Sequence, residues 1–157
     1  MKNWLWLGIP LLLLGCASEG TGVGSIAPEL KAETLVEGTP VRLADYKGKV
    51  VVLDFWATWC GPCIEAMPHL VEAQKEYGDK VKILAITTEE RDTVQRFLAQ
   101  RPTSLTILRD PFVSTQTRYG VSGLPNTFVI GKDGKIAWES VGFDPQGFKN
   151  ALEQATK

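Results

Sequence analysis

The residues of this chain best suited to chemistry are two cysteines, Cys60 and Cys63, which enclose Gly61 and Pro62. They follow an apolar run, residues 50–56, which is typical of a strand buried on both faces. After Cys63 the apolar residues recur at spacings of three and four, which predicts a helix. The start of a helix favours an anion such as a thiolate, the reactive form of cysteine, because backbone N–H groups and the positive end of the helix dipole converge there.

The spacing of the two cysteines indicates reversible dithiol–disulfide chemistry. Cysteines three positions apart at a helix start lie on the same side and can form a disulfide with little strain. We expect Cys60 to be the exposed nucleophile with the lowered pKa, which forms a mixed disulfide with its substrate. Cys63, one turn deeper, would then resolve this intermediate by attacking Cys60. Pro62 suits the first helical turn, where its missing N–H costs nothing.

Other uses of a CxxC motif fit the sequence less well. A structural zinc site needs four ligands, and only Cys16 and His69 remain as candidates. Haem attachment requires a histidine directly after the second cysteine, where this chain has Ile64. A purely structural disulfide stays open, although so short a loop would add little stability. We therefore predict no metal, and no cofactor apart from the redox-active pair Cys60–Cys63.

The first fifteen residues differ in composition from the rest of the chain. Lys2 gives a positive start, and the apolar run over residues 4–14 is too short to span a bilayer comfortably but suits a signal peptide. The run ends in Leu-Leu-Gly-Cys, which resembles the lipobox of bacterial lipoproteins. That resemblance implies removal of residues 1–15 and lipidation of Cys16; an uncleaved signal anchor is the alternative. Residues 16–25 are small, polar and glycine-rich, which indicates a flexible tether.

The remaining residues, 26–157, are predicted to form one α/β domain. The 157-residue chain is 44% hydrophobic with a net charge of −1, an ordinary globular composition that gives no reason to expect nucleic acid as a partner. Two weak extended stretches indicate an N-terminal β-hairpin before the strand at 50–56. The order βαβ and then ββα predicts a central mixed sheet with helices on both faces, and places the CxxC at the carboxyl end of the first core strand. The further segments are helices at 62–77, 89–100, 114–119 and 145–156, and strands at 81–87, 105–108, 127–130 and 135–141.

Residues 54–63, DFWATWCGPC, resemble the active-site segment of thioredoxin. Residues 26–157 are similar to membrane-tethered thioredoxin-like proteins of the TlpA/ResA type, which share the hairpin, the FWATWC run, a later G-x-P and a D-G hairpin. This resemblance implies a thioredoxin fold and thiol–disulfide exchange outside the cytoplasm, in the periplasm or on the outer face of the cell membrane. It also implies protein disulfides as substrates, re-reduction by a membrane electron donor, and a monomer anchored through lipid on Cys16.

Asp54 matches the buried acid of thioredoxin, six residues before Cys60. A carboxyl group inside an apolar strand is expected to have a raised pKa on physical grounds alone. It could then accept the proton of Cys63 during resolution, directly or through water. A buried aspartate held only by backbone hydrogen bonds is the alternative. Trp56, in the same run, is expected to belong to the core.

The resemblance also implies a substrate-binding surface. Pro125 matches the cis-proline that faces the active-site disulfide in the family, and Leu124 before it would offer its backbone to a substrate strand. Trp59, with Gly61 and Pro62, would form part of the docking surface.

Three positions depart from many ResA-like proteins. Ala66 stands where a glutamate is common, and Glu65, one residue earlier, points about 100° away around a helix and is expected to face solvent. Asp54 stands where many have asparagine, and Asn126 where threonine is common. A specific role in cytochrome c maturation therefore stays open.

Two alternative functions remain. Peroxiredoxins have a related fold, but their peroxidatic cysteine stands alone and needs a nearby arginine. A non-catalytic binding module would use the thioredoxin surface without its chemistry. Within the leading hypothesis, the Gly61–Pro62 dipeptide is that of thioredoxin and favours a reductase over an oxidase.

Overall fold

A seven-stranded mixed sheet runs through the part of the chain that this computed structural model describes, residues 21–157. The predicted segments form, with boundaries shifted by one or two residues. The strands are β1 (Ala32–Thr34), β2 (Pro40–Val41), β3 (Val50–Phe55), β4 (Val81–Thr87), β5 (Thr106–Arg109), β6 (Asn126–Ile130) and β7 (Ile136–Val141). The α-helices are α1 (Gly61–Tyr77), α2 (Arg91–Gln100), α3 (Ser114–Arg118) and α4 (Pro145–Ala155).

The sheet brings several chain segments to one edge. Its order is β2-β1-β5-β4-β3-β6-β7, with β3 and β5 both parallel to the central strand β4. β6 is antiparallel to β3, so it begins where β3 ends, with Asn126 opposite Phe55. The carboxyl ends of β3, β4 and β5 and the start of β6 therefore lie at the same edge, which is where open α/β sheets place their sites.

The two faces of β3 pack against different partners. Every residue of β3 is buried, and alternate side chains point to opposite sides because a strand has a period of two. Val52 and Trp56 lie in one core cluster with both cysteines, α1, α2 and α4; we call this side the disulfide face. Leu53 and Phe55 lie in a second cluster with Tyr119 and Phe128; we call this side the aromatic face.

The N-terminal hairpin of β1 and β2 is antiparallel, as predicted, and joins the sheet beside β5. Backbone hydrogen bonds also join Gly24 and Ser25 to Ile136 at the start of β7. The predicted signal peptide and Cys16 lie outside the described residues. Within residues 21–157 no helix is both long enough and apolar enough to cross a membrane.

Candidate active site at the start of α1

Cys60 and Cys63 are joined by a disulfide bond at the first turn of α1, with an S–S distance of 2.00 Å. Cys60 is the N-cap residue, with extended backbone angles, and its Sγ accepts a hydrogen bond from the backbone N–H of Cys63 at 3.3 Å. Gly61 and Pro62 are exposed. When the bond is reduced, the same N–H group and the dipole of this 17-residue helix favour a thiolate on Cys60.

The expectation of an exposed Cys60 is wrong for this oxidised state. Cys60 is 5% exposed and Cys63 is fully buried. Cys60 is covered because its sulfur is bonded to Cys63, which belongs to the buried side of α1. The predicted order of accessibility is nevertheless present, since Cys60 is the more accessible of the two.

Asp54 is a fully buried carboxyl group on the disulfide face of β3, between Val52 and Trp56. Its Oδ1 accepts a hydrogen bond from the hydroxyl of Thr127 at 2.8 Å, whereas its Oδ2 has no hydrogen-bond partner among the described residues. Burial raises the pKa of Asp54 to about 7, against the opposing effect of the Thr127 hydrogen bond. A carboxyl group with this pKa can both take up and release a proton near neutral pH.

The two tryptophans of the motif have different environments. Trp56 is 1% exposed and packs against Phe97, with ring centroids 5.6 Å apart, which confirms that it belongs to the core. Trp59 is 74% exposed, beside Cys60. An exposed indole next to a reactive sulfur provides apolar contact area for an incoming chain.

A loop before β6 brings a second segment to the same edge. The Leu124–Pro125 peptide bond is cis, as the resemblance implies. The Pro125 carbonyl accepts a hydrogen bond from the backbone N–H of Gly142, and the Leu124 side chain contacts both core clusters. No hydrogen bond within residues 21–157 uses the backbone N–H or C=O of Leu124, so both groups are available to an extended peptide.

The structure also identifies two residues that the sequence analysis did not single out, Thr127 and Glu89. Thr127 is the partner of Asp54 described above. The Glu89 carboxylate accepts hydrogen bonds from both the backbone N–H and the hydroxyl of Thr58, at 2.7 and 2.8 Å. Glu89 thereby holds the short loop between β3 and Cys60. These partners are 73 and 31 residues apart in sequence, so no local pattern could pair them.

Three further residues of α1 were considered in the sequence analysis: Glu65, Ala66 and His69. Glu65 is exposed, as expected, whereas Ala66 is buried. His69 is exposed and lies against the ring of Phe143, with centroids 5.3 Å apart. Within the described residues no group of three or more histidine, cysteine or acidic side chains could hold a metal ion.

Comparison with known proteins gives consistent results. The profile of the AhpC/TSA family matches residues 23–139. The thiol-disulfide oxidoreductase ResA of Bacillus thuringiensis subsp. konkukian (strain 97-27) is 35% identical, over 99% of this chain and 96% of ResA. A DsbE-like thiol:disulfide interchange protein from Chlorobium tepidum superposes with a TM-score of 0.80 at 32% identity, covering 87% of this chain and 99% of that one. The exposed lipoprotein thioredoxin Etrx1 of Streptococcus pneumoniae strain TIGR4 superposes with a TM-score of 0.67 at 28% identity, covering 81% and 99%.

Proposed function

Because this chain belongs to the AhpC/TSA family and is a thioredoxin-like thiol–disulfide oxidoreductase, we propose that it reduces protein disulfides outside the cytoplasm. The main observation behind this chemistry is the Cys60–Cys63 pair at the N-terminus of α1. The pair packs in the core cluster on the disulfide face of β3, the face to which Asp54 also belongs. The reaction needs no cofactor beyond this pair, since two thiols supply the two electrons that one substrate disulfide takes up.

The proposed cycle has two steps. In the first, the Cys60 thiolate attacks one sulfur of the substrate disulfide, a mixed disulfide forms, and the other substrate sulfur leaves as a thiolate. In the second, Cys63 loses its proton to Asp54, directly or through water, and its thiolate attacks the Sγ of Cys60. The Cys60–Cys63 bond forms, the second substrate thiolate leaves, and the substrate has gained two electrons. A membrane dithiol protein then reduces the pair again.

The substrate-binding role is assigned to the surface around the disulfide. Trp59 is exposed and apolar, Gly61 and Pro62 are exposed beside it, and the free backbone groups of Leu124 can pair with an extended substrate segment. Pro125, next to Leu124, would form the wall that faces the disulfide. Such a surface suits an unfolded or flexible protein segment, and the protein would act on it as a monomer.

The site of action is proposed from the N-terminal sequence and one relative. The Leu-Leu-Gly-Cys run predicts lipid on Cys16, and the pneumococcal relative is described as an exposed lipoprotein. A lipid-anchored domain on the outer side of a membrane would meet oxidised proteins and would draw its electrons from a membrane donor. Metabolic labelling of the full-length chain with a fatty-acid analogue tests this arrangement. Label that persists in Cys16→Ala would contradict it.

The chemistry is tested with purified protein from residue 21 onward, insulin as the disulfide substrate and dithiothreitol as the electron source. We expect Cys60→Ser to lower the rate to that of dithiothreitol alone. Reduced Cys63→Ser, mixed with insulin after the dithiothreitol has been removed, should accumulate a mixed disulfide between Cys60 and insulin that is visible on a non-reducing gel. Unchanged turnover in Cys60→Ser would overturn the mechanism. Peroxide consumption that survives Cys63→Ser would instead indicate a peroxiredoxin.

The direction of electron flow is tested by equilibrating the pair with glutathione. A reductase should have a potential near that of thioredoxin, about −270 mV, and an oxidase one near that of DsbA, about −120 mV. A value at the oxidising end would refute the reductase assignment and leave thiol–disulfide exchange intact.

A further inference from the structure

Thr127 is a fully buried hydroxyl residue of β6 that lies directly opposite Asp54 of β3 in the sheet. Its hydroxyl donates to Oδ1 of Asp54 at 2.8 Å. The second carboxylate oxygen, Oδ2, is buried and has no partner within the described residues. One oxygen of Asp54 is thus occupied and the other is free, on the face that also contains both cysteines.

We propose that Thr127 is a positioning residue that keeps Asp54 ionised and directs proton transfer from Cys63 to Oδ2. This inference rests on the proposed role of Asp54 as the proton acceptor. In the transfer the S–H bond of Cys63 breaks and an O–H bond forms at Oδ2. The Cys63 thiolate then attacks the Sγ of Cys60, the bond between Cys60 and the substrate breaks, and the substrate sulfur leaves as a thiolate. Thr127 keeps its own proton throughout, because its hydroxyl donates to Oδ1 before and after the step.

The preference for the ionised form follows from hydrogen-bond strength. A hydroxyl that donates to a carboxylate makes a charge-assisted bond, about twice as strong as one between neutral groups. Thr127 therefore stabilises the proton-accepting state of Asp54 more than the protonated state. Without it, a larger fraction of the carboxyl group would be protonated at neutral pH, and the protonated form cannot accept the proton of Cys63.

The surroundings of Asp54 leave Thr127 as its one polar partner among the described residues. Ala85 of β4 and Thr127 of β6 lie opposite it in the sheet, and the core cluster on its own face includes the two cysteines of α1. Glu139 of β7 lies opposite Phe128, on the other face. Ser140 of β7 lies opposite Thr127, but its hydroxyl donates to the Gly142 carbonyl. The hydrophobic cluster on the disulfide face includes residues of α1, α4 and β7: Met67, Leu70, Trp138, Phe148, Ala151 and Leu152.

The test is a ¹³C NMR titration of the Asp54 carboxyl in the oxidised protein, where the cysteines do not titrate. We expect Thr127→Val, which keeps the branched shape of the side chain, to move the midpoint up by about one pH unit. In Thr127→Ser, which keeps the hydroxyl, the Asp54 carboxyl should titrate with the same midpoint as in the parent. Ser140→Ala is the matched control, because Ser140 lies opposite Thr127 on β7 and its hydroxyl bonds to Gly142 instead.

A kinetic measurement shows whether the hydrogen bond acts in the reaction. The rate of mixed-disulfide resolution should reach its plateau about one pH unit higher in Thr127→Val, with no such change when the same substitution is made in Asp54→Asn. An unmoved titration midpoint in Thr127→Val, or in Thr127→Ala if the valine variant does not fold, overturns the inference. A normal resolution rate in Asp54→Asn would refute the role of Asp54 itself, and so separates the two failures.

Discussion

Two aspartates, Asp54 and Asp110, are fully buried at the carboxyl ends of β3 and β5, yet their environments differ. Both oxygens of Asp110 accept backbone N–H bonds at 2.9 Å, from Ser114 and Gln116 in α3. Asp54 has a single partner, the hydroxyl of Thr127, and one oxygen that no described residue contacts by hydrogen bond. One carboxyl group is completely satisfied and the other is half satisfied.

The difference shows that burial alone does not indicate a role in chemistry. The hydrogen bonds of Asp110 replace those lost to water, so this side chain starts α3 and stabilises the fold. The free oxygen of Asp54 costs folding free energy, and it lies on the face with the reactive disulfide. A buried acid with an unpartnered oxygen beside a redox centre is suited to proton transfer, whereas a fully partnered acid is suited to holding backbone in place.

The largest expected effect is the pH dependence of stability caused by Asp54. A pKa raised by burial to about 7, against 3.8 for the free carboxyl, corresponds to on the order of 4 kcal/mol. The folded protein holds this proton more tightly than the unfolded chain does. Protonation of Asp54 therefore adds this amount to the unfolding free energy below about pH 4, and the added stability is lost as the pH rises to about 7. Urea unfolding of the oxidised protein should therefore show a steeper loss with pH in the parent than in Asp54→Asn.

Equal pH slopes for the parent and Asp54→Asn would contradict this prediction. Asp110→Asn serves as the comparison at the other strand end. Asp54 is unchanged in that variant, so the pH slope that Asp54 causes should still be present.

The next effect is on rate. Asp54→Asn should slow the resolution of the mixed disulfide about 100-fold near pH 7, equivalent to about 2.7 kcal/mol, since an amide cannot accept the proton of Cys63. The first attack by Cys60, measured separately in Cys63→Ser, should not change. Stopped-flow tryptophan fluorescence can follow both steps, because Trp56 and Trp59 lie close to the disulfide in sequence. Slowing of both steps to the same extent would indicate a distorted site instead.

Asp110→Asn should give the opposite result. An amide NH₂ would replace one acceptor oxygen and would face a backbone N–H, so we expect a loss of about 2 kcal/mol of unfolding free energy. Turnover per folded molecule should equal that of the parent. The check is a urea titration together with the insulin assay. If fully folded Asp110→Asn turned over more slowly than the parent, Asp110 would affect catalysis as well as stability.

The features of the fold and the site that depend on local sequence pattern could be predicted. The continuous apolar run of β3, the spacing after Cys63 and the Gly-Lys-Asp-Gly turn predicted the central strand, α1 and the hairpin of β6 and β7. Asp54 could be singled out because a carboxyl group interrupts an apolar strand. Asp110 could not be distinguished from a surface loop residue, because its burial depends on the packing of α3.

The partners of these acids could not be predicted from the sequence. Thr127 reaches Asp54 only because β6 pairs antiparallel with β3 in one register, and a shift by one residue would turn its hydroxyl to the aromatic face. The buried state of Cys60 was also missed, because the sequence does not show how the disulfide packs against the core.

The smallest expected effect concerns Glu89, which holds the chain between the half-satisfied acid of β3 and the disulfide. Its carboxylate accepts two hydrogen bonds from Thr58, and in Glu89→Gln one charged acceptor becomes a donor. We expect the Thr58 amide to exchange its hydrogen about fivefold faster, equivalent to about 1 kcal/mol of local opening. Glu90→Gln is the control, since the Glu90 side chain is 87% exposed and its partner within residues 21–157 is Arg109, in a surface ion pair at 3.5 Å. If Glu89→Gln and Glu90→Gln exchange alike at Thr58, the loop is held by its own packing, and the position of Cys60 depends on β3 and α1 alone.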